Sequence, residues 1–274
     1  MNYRHAFHAG NFADVVKHLA VVAILMRLRN KAAGFAVIDT HAGSGLYNLA
    51  GDEARRGGEA TGGIARIQDM TDGPELLQRY LGLVRSCGTA RYPGSPLIAA
   101  KLLREQDRLV AIEKHPEDHR ALADVLAPFR RAKALEADGY ARLGALLPPP
   151  ERRGLVLIDP PYEAPNEFAQ AAQAVRGALR RFATGIVAIW FPIKSPPAAE
   201  AFLGEILLAG PAKAIKLSVA VDAPAPRLST AGLAVINPPF GLAQDMTAVL
   251  EHIAARLGGA HPARFEVDWI AGGE

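Results

Sequence analysis

Cysteine is nearly absent from this chain of 274 residues. The single cysteine, Cys87, excludes an internal disulfide. The chain also lacks an apolar run long enough to cross a membrane, and residues 2–5 are polar where a secretory signal would turn apolar. These features exclude a disulfide-stapled secreted domain and a membrane-spanning protein. They predict a protein of the reducing cytoplasm.

The sequence has little net charge. Lys plus Arg number 31 and Asp plus Glu number 28, which gives +3. This small excess permits a nucleic-acid partner without requiring one. Half of the residues are hydrophobic, which is enough for a substantial core, and the length is short for two full enzymatic domains. We therefore expect one large α/β core with an insertion.

The segment 155–162 carries the strongest chemical signal. It opens with four branched apolar residues, which predict a strand buried on both faces. Pro160 and Pro161 end this strand because proline cannot donate to a sheet. Ligands of open α/β sheets bind beyond the carboxyl ends of the strands, so we expect Asp159 and Tyr162 at a site. The alternative interpretation is that Asp-Pro-Pro only forms the turn that ends the strand.

Asp-Pro-Pro-Tyr at a strand end resembles the catalytic signature of the adenosylmethionine-dependent amino-methyltransferases. An amine on an aromatic ring is a poor nucleophile because its lone pair is delocalised into the ring. The Asp159 carboxylate and the Pro160 carbonyl would each accept one N–H and favour a pyramidal nitrogen. Tyr162 would offer the base a stacking surface worth roughly 1–3 kcal/mol. These three residues are the candidate catalytic group.

Strands and helices alternate along the remaining chain, as in a doubly wound α/β sheet. Helical spacing predicts helices at about 13–29, 167–181 and 197–208. Apolar runs predict strands at 35–41, 109–113, 132–137, 185–191 and 214–221, with an edge strand at 264–270.

A second copy of the motif, Asn237-Pro-Pro-Phe240, follows a later strand. It also matches the amino-methyltransferase pattern, with an amide oxygen in place of the carboxylate. Asp159 ends the strand expected beside the donor-binding strand, whereas Asn237 ends a late one. We interpret the second copy as structural or secondary.

A glycine-rich turn at 42–45 follows the first strand and lets the backbone approach a ligand closely. The acidic partner of a ribose diol normally lies about 20 residues beyond such a turn. Glu113 is the candidate for this partner. It lies too far beyond the glycine turn unless part of the sequence between the turn and Glu113 is an insertion. This predicts three parts: 1–45 with the opening motif, helix and first strand, 46–91 as a helical insertion, and 92–274 as the rest of the core.

Several polar residues have two interpretations from the pattern alone. Lys17 and His18 are ordinary on the surface of a helix. Asp138 would accept from an adenine amine, although Asp-Gly is more often a turn. His115 and His119 have metal-ligand spacing, but the helix-start signals between them explain the pair without a metal.

Six motifs taken together resemble one family. They are Tyr3-Arg-His-Ala-Phe-His-Ala-Gly-Asn, Asp14-Val-Val-Lys-His, Asp39-Thr-His-Ala-Gly-Ser-Gly-Leu-Tyr, Tyr92-Pro-Gly-Ser-Pro, Ala137-Asp-Gly and Ile158-Asp-Pro-Pro-Tyr. They are similar to motifs of the RlmJ family, bacterial large-subunit ribosomal RNA adenine-N6 methyltransferases, and the match runs essentially end to end.

The resemblance implies a Rossmann-like class I methyltransferase core with a small inserted helical subdomain. It implies S-adenosylmethionine as the methyl donor and a monomer acting on protein-free 23S ribosomal RNA. The implied donor contacts are His18, His41, Ser95, Glu113, Asp138, Gly139 and Asp159. The implied substrate contacts are Tyr3, Lys17 and Tyr162, with Asp159 as the catalytic acceptor.

Two alternative functions stay open from the sequence. A DNA adenine-N6 methyltransferase would normally need a sequence-reading module, and little chain remains for one. A non-catalytic RNA-binding protein with the methyltransferase fold would not need the intact donor and acceptor motifs that this chain has.

Overall fold

Eight strands form the central sheet of the computed structural model, which describes residues 4–223 and 227–273. The strands of both sheets in these residues are β1 (Ala36–Asp39), β2 (Leu46–Asn48), β3 (Arg91–Pro93), β4 (Arg108–Glu113), β5 (Ala132–Glu136), β6 (Gly154–Ile158), β7 (Ile186–Pro192), β8 (Ala214–Ala220), β9 (Thr230–Ile236) and β10 (Arg264–Ala271). The sheet order is β10-β8-β9-β7-β6-β1-β4-β5, and β2 pairs with β3 separately.

Two helical layers cover this sheet. The helices are α1 (Phe12–Arg29), α2 (Asp52–Gly57), α3 (Glu75–Arg85), α4 (Ser95–Leu102), α5 (Pro116–Leu126), α6 (Gly139–Leu143), α7 (Glu167–Arg181), α8 (Pro196–Leu207) and α9 (Leu242–Gly258). Side chains of α1, α3, α4, α5 and α9 pack in the core on one face, and those of α6, α7 and α8 in the core on the other. No helix in the described part of the chain is both long and apolar enough to cross a membrane.

The apolar run of β6 reflects burial on both faces. Leu155 and Leu157 belong to one core, whereas Val156 and Ile158 belong to the other. A strand in this position needs an apolar residue at every step instead of alternate ones. β6 lies between β1 and β7 and runs parallel to both. Asp159 therefore emerges beside the carboxyl end of β1.

The last third of the sheet departs from the alternation that the sequence suggested. β5, β4, β1, β6 and β7 are parallel, but β9 is antiparallel to both β7 and β8, and β10 is antiparallel to β8. The connection from β8 to β9 spans only residues 221–229, which is too short for a crossover helix. The doubly wound expectation is therefore wrong for this part of the chain.

The segment 46–91 begins and ends at a small antiparallel ladder. Leu46 pairs with Pro93 and Asn48 with Arg91 at the two ends of the segment. Its helix α3 packs on α1 and α9, and Leu77 and Tyr80 are fully buried there. The three-part division of the chain stays a proposal, which the closure at β2 and β3 supports.

Candidate active site

A cavity of about 1150 Å³ opens at the carboxyl ends of the parallel strands. Ten of the eleven residues that the sequence predicted for the site line this cavity. They are Lys17, His18, His41, Ser95, Glu113, Asp138, Gly139, Asp159, Pro160 and Tyr162. The eleventh, Tyr3, lies outside the described residues. The fold thus brings together residues that are far apart in the sequence, since Lys17 and Tyr162 are separated by 145 positions.

The turn after β6 fixes the tyrosine of the central motif. Tyr162 has φ of 53°, in the left-handed region that a bulky side chain rarely adopts. Its hydroxyl donates a hydrogen bond to the Trp190 carbonyl at 2.7 Å. Its ring packs against the rings of Phe168 and Trp190, with centroids 4.4 and 5.6 Å away. Strain of this kind is retained where neighbouring contacts enforce it, so the ring is held at the cavity wall.

Lys17 is buried and joins two carboxylates. Its ammonium donates to Asp14 Oδ1 at 2.8 Å and to Asp159 Oδ2 at 2.5 Å. Burial alone would lower the pKa of Lys17, but the two carboxylates outweigh burial and raise that pKa above its usual value. Lys17 therefore stays charged, and it holds the Asp159 carboxylate against α1.

The pattern-based interpretation of Lys17 and His18 as surface residues is wrong. Their exposed fractions are 4% and 1%. The reason is that α1 lies in the centre of its layer, between the sheet and the helices α3, α4 and α9. A helix enclosed in this way has no solvated face, and polar residues in its first turns must point into a cavity or pair with one another.

Asp14 ties the opening segment to this pair. Its carboxylate accepts the Gly10 amide at 2.9 Å and lies 2.9 Å from Nε2 of His5. Burial opposes its charge, but His5 and Lys17 outweigh burial and hold the pKa of Asp14 well below its usual value. The sequence showed the spacing of Asp14 and Lys17 but not this contact, because the partners come from a loop and a distant strand.

The other half of the cavity contains acceptors for a polyhydroxylated ligand. Glu113 accepts the Gly43 amide on Oε2 at 2.8 Å and the His115 amide on Oε1 at 2.7 Å. Each carboxylate oxygen has two lone pairs, so each has capacity for one further donor. Burial raises the pKa of Glu113 although these amides oppose the shift. Asp138 caps α6 through the Ala141 amide at 3.1 Å.

Two glycines let the backbone form this wall. Gly43 has φ of 59°, and a Cβ there would lie 2.1 Å from the Tyr47 hydroxyl. A Cβ on Gly139 would lie 2.0 Å from the Thr40 carbonyl oxygen. Only glycine fits at these two positions, because a side chain would collide with Tyr47 or with the Thr40 backbone.

Asp39 is a residue that the sequence-based list of site residues omitted. It ends β1 with an exposed fraction of 1%, and the Ser95 hydroxyl donates to its Oδ2 at 2.6 Å. Burial raises the pKa of Asp39 to about 7, and the nearby Asp159 charge adds to the rise. The acidic end of the strand before the glycine turn was the signal that could have found it.

The second motif lies at the opposite end of the strands from Asp159. β9 runs antiparallel to β7, so Asn237 follows the end opposite to Asp159. Its side-chain amide donates to the carbonyls of Ala183 and Gly185 at 2.8 and 2.9 Å, and Phe240 is 79% exposed. Asn237 therefore fixes the chain before β7, away from the cavity.

Within residues 4–223 and 227–273, no group of three or more His, Cys, Asp or Glu residues has a geometry that could hold a metal ion. His115 instead faces Asp118 at 3.8 Å, and His119 faces Glu136 at 3.4 Å.

Comparison with known proteins gives a consistent result along the whole chain. A family model described as "Ribosomal RNA large subunit methyltransferase D, RlmJ" matches residues 32–271. A protein of Escherichia coli (strain K12) named Ribosomal RNA large subunit methyltransferase J is 41% identical over 276 residues, which cover 98% of this chain and 99% of that protein. A protein of the same name from Haemophilus influenzae is 38% identical over 277 residues, with coverage of 98% and 99%.

A solved structure shares the fold closely. The crystal structure of a Legionella pneumophila protein has a TM-score of 0.89 and 30% sequence identity, and the match covers 97% of this chain and 99% of that one.

Proposed function

This chain belongs to the RlmJ family of large-subunit ribosomal RNA methyltransferases, and we propose that it methylates the exocyclic N6 amine of an adenine in 23S ribosomal RNA. It is a methyltransferase, and its methyl donor is S-adenosylmethionine. The observation that supports the adenine amine is the Asp-Pro-Pro-Tyr turn. Asp159, Pro160 and Tyr162 of this turn line the same cavity as the acceptors described above.

The cavity residues fit the donor. The adenine amine of S-adenosylmethionine needs one hydrogen-bond acceptor, and Asp138, just after β5, would provide it. The ribose diol needs two acceptors, and the Glu113 carboxylate has spare lone pairs for them. His18, His41 and Ser95 lie around the cavity near the glycine turn, where the methionine part would bind. Gly43 and Gly139 also line this cavity. When bound, S-adenosylmethionine supplies an electrophilic methyl group on sulfur.

Asp159 is the residue that would activate the target amine. Its Oδ2 is committed to Lys17, whereas Oδ1 accepts no hydrogen bond from the residues that the structure describes. Oδ1 would accept one N–H of the amine and the Pro160 carbonyl the other, which favours a pyramidal nitrogen with its lone pair directed at the methyl group. The nitrogen would take the methyl group as the bond between that methyl group and sulfur breaks, with the bonding electron pair going to sulfur, and the nitrogen would then lose one N–H proton to solvent.

Lys17 would act on the target through Asp159. Its ion pair with the carboxylate fixes the orientation of that carboxylate before the RNA binds, so little reorganisation is needed during the reaction. Tyr162 would stack on the target base, and the opening segment with Tyr3 would contact the same nucleotide. The base must leave its stack to enter, as it does in other enzymes that modify bases.

We further propose that the enzyme acts as a monomer on ribosomal RNA free of protein, in the cytoplasm where that RNA is made. The family resemblance supports these points. Sedimentation of the purified chain, and a comparison of methylation between naked 23S RNA and assembled subunits, would test them separately.

The reaction is tested by incubating the purified chain with S-adenosylmethionine and 23S ribosomal RNA that lacks modifications. Mass spectrometry of nuclease fragments should locate a single new N6-methyladenosine. Duplex DNA is the control substrate. Equal turnover on duplex DNA would favour a DNA methyltransferase, and donor binding without methylation of any RNA would favour a non-catalytic RNA-binding protein.

A further inference from the structure

Three buried side chains connect the segment 46–91 to the cavity. Tyr80 lies on α3, Tyr92 on β3 and His18 on α1, and all three are inaccessible or nearly so. The two tyrosine hydroxyls are 3.0 Å apart, and the Tyr92 hydroxyl lies 2.8 Å from Nδ1 of His18. The rings of His18 and Tyr92 stack with centroids 5.5 Å apart. This chain of contacts begins in the inserted segment and ends at the cavity wall.

The number of protons sets the direction of these hydrogen bonds. The Tyr80 hydroxyl has one proton, and its partner among the described residues is the Tyr92 hydroxyl. If Tyr92 donated to Tyr80, the Tyr80 proton would be buried without an acceptor, which is unfavourable. Tyr80 therefore donates to Tyr92. The Tyr92 proton then goes to its remaining partner, Nδ1 of His18.

The direction of this chain sets the tautomer of His18. Burial lowers the pKa of the His18 imidazole to about 3, so the ring is neutral and carries one proton at pH 7. Nδ1 accepts from Tyr92, and the proton is therefore on Nε2. Nε2 makes no hydrogen bond within residues 4–223 and 227–273, and His18 lines the cavity. An N–H donor is thus presented to a ligand.

This N–H of His18 has no acceptor among the residues that the structure describes, whereas donors beside it are already engaged. The neighbouring Lys17 ammonium already donates to Asp14 and Asp159, and the Ser95 hydroxyl donates to Asp39. The carboxylate in the methionine part of S-adenosylmethionine accepts hydrogen bonds but cannot donate them at neutral pH. A histidine with its lone pair facing that carboxylate would repel it.

We propose that Tyr80 and Tyr92 hold His18 in the tautomer protonated on Nε2, and that His18 thereby binds the carboxylate of S-adenosylmethionine. This inference rests on the proposed function, because it takes the methyl donor as the ligand of this cavity. Tyr80 and Tyr92 are positioning residues in this account, and they give the inserted segment a part in recognising the donor.

The tautomer is tested first in the full-length chain without ligand. In ¹⁵N-labelled protein, long-range ¹H–¹⁵N spectra distinguish protonated from unprotonated ring nitrogens, and the His18→Gln variant identifies the His18 signals. We expect Nε2 protonated and Nδ1 unprotonated in the wild type. In Tyr92→Phe we expect both nitrogens to shift toward an average of the two tautomers. A wild-type ring protonated on Nδ1 would overturn the proposal.

Calorimetry then separates the carboxylate contact from general damage. The probes are S-adenosylhomocysteine, which has the carboxylate, and methylthioadenosine, which lacks the amino-acid part. Tyr92→Phe should weaken binding of the first about tenfold and of the second less than twofold, and Tyr80→Phe should act in the same direction by a smaller factor. A misfolded variant would lose both ligands, so methylthioadenosine is an internal control.

A double variant completes the test. In His18→Gln the side-chain amide offers an N–H near the position of Nε2 and has no tautomer to select, so Tyr92→Phe should change S-adenosylhomocysteine affinity less in this background. Failure of the wild type to bind S-adenosylhomocysteine would contradict the proposed function. Wild-type binding that Tyr92→Phe leaves unchanged, or weakens equally for both probes, would overturn only the present inference.

Discussion

Among single residues, Tyr162 and Phe240 allow a direct comparison of the two similar motifs. Tyr162 lines the cavity, whereas Phe240 is exposed at the opposite end of the strands. Tyr162→Ala should reduce kcat/KM for 23S RNA on the order of tenfold or more, because the base loses its stacking surface. Phe240→Ala is the matched control and should leave kcat/KM unchanged. Equal losses in both variants, measured by methyl incorporation, would contradict the assignment of the site to the first motif.

Asp39 is expected to make stability depend on pH. Its folded-state pKa of about 7 lies above the ordinary value for aspartate, so its ionisation penalises the folded state as pH rises from about 4 to 7. Asp39→Asn mimics the protonated acid and removes this penalty. As the pH rises from 4.5 to 8, the free energy of unfolding of the variant should therefore increase relative to that of the wild type, on the order of a few kcal/mol.

Denaturant unfolding of both proteins at these two pH values measures the effect. His18 and His41 have lowered pKa values and stabilise the fold as pH rises through the same range, but they are present in both proteins and cancel in the difference. A difference between variant and wild type that stays constant from pH 4.5 to 8 would rule out the raised pKa of Asp39.

Single-residue roles were only partly accessible from the sequence. The strand ends identified Asp159 and Glu113, because a strand that stops at a carboxylate is a local signal. Asp39 ends β1 with the same kind of signal. The burial of Lys17 and the role of Asp14 were not accessible, because they depend on which helix occupies the centre of a layer and on contacts between distant segments.

At the scale of helices and strands, local periodicity was a reliable guide. The predicted helix 167–181 has the observed bounds of α7, and β4 begins one residue before its predicted start. β2, β3, α2, α6 and α9 were not predicted. β2 and β3 have three residues each, which is too short to show a period, and their pairing is a tertiary contact. The antiparallel course of β9 likewise depends on the length of a connection and not on its strand residues.

The loop after β7 is expected to contact the RNA backbone. Lys194 is exposed at the cavity and pairs with no acidic residue in the described part of the chain. Lys194→Gln should raise KM for 23S RNA several-fold and lower the salt dependence of RNA binding by about one unit, with kcat unchanged. Lys133→Gln on β5 is the control, since Lys133 is exposed outside the cavity. An unchanged salt slope for Lys194→Gln would contradict this contact.

Across the whole molecule, three regions that are distant in sequence meet around the cavity. Glu59 of the inserted segment binds the opening segment, 2.8 Å from Nδ1 of His8 and 2.9 Å from the Asn11 amide nitrogen. Arg227, from the connection between β8 and β9, donates to the Gly57 carbonyl at 3.0 Å. The segment 46–91 therefore contacts two other regions that line the cavity. The sequence predicted that this segment interrupts the core but gave no sign that it contacts residues of the cavity.

We propose that the carboxylate of Asp159, held by Lys17 at the end of β6, activates an adenine amine for methylation. The most direct test is the single-turnover rate of methyl transfer to unmodified 23S RNA by the wild type and by Asp159→Ala, with both ligands saturating. We predict that the variant transfers the methyl group at least about 100-fold more slowly. An Asp159→Ala enzyme that methylates adenine N6 at the wild-type rate would contradict the account.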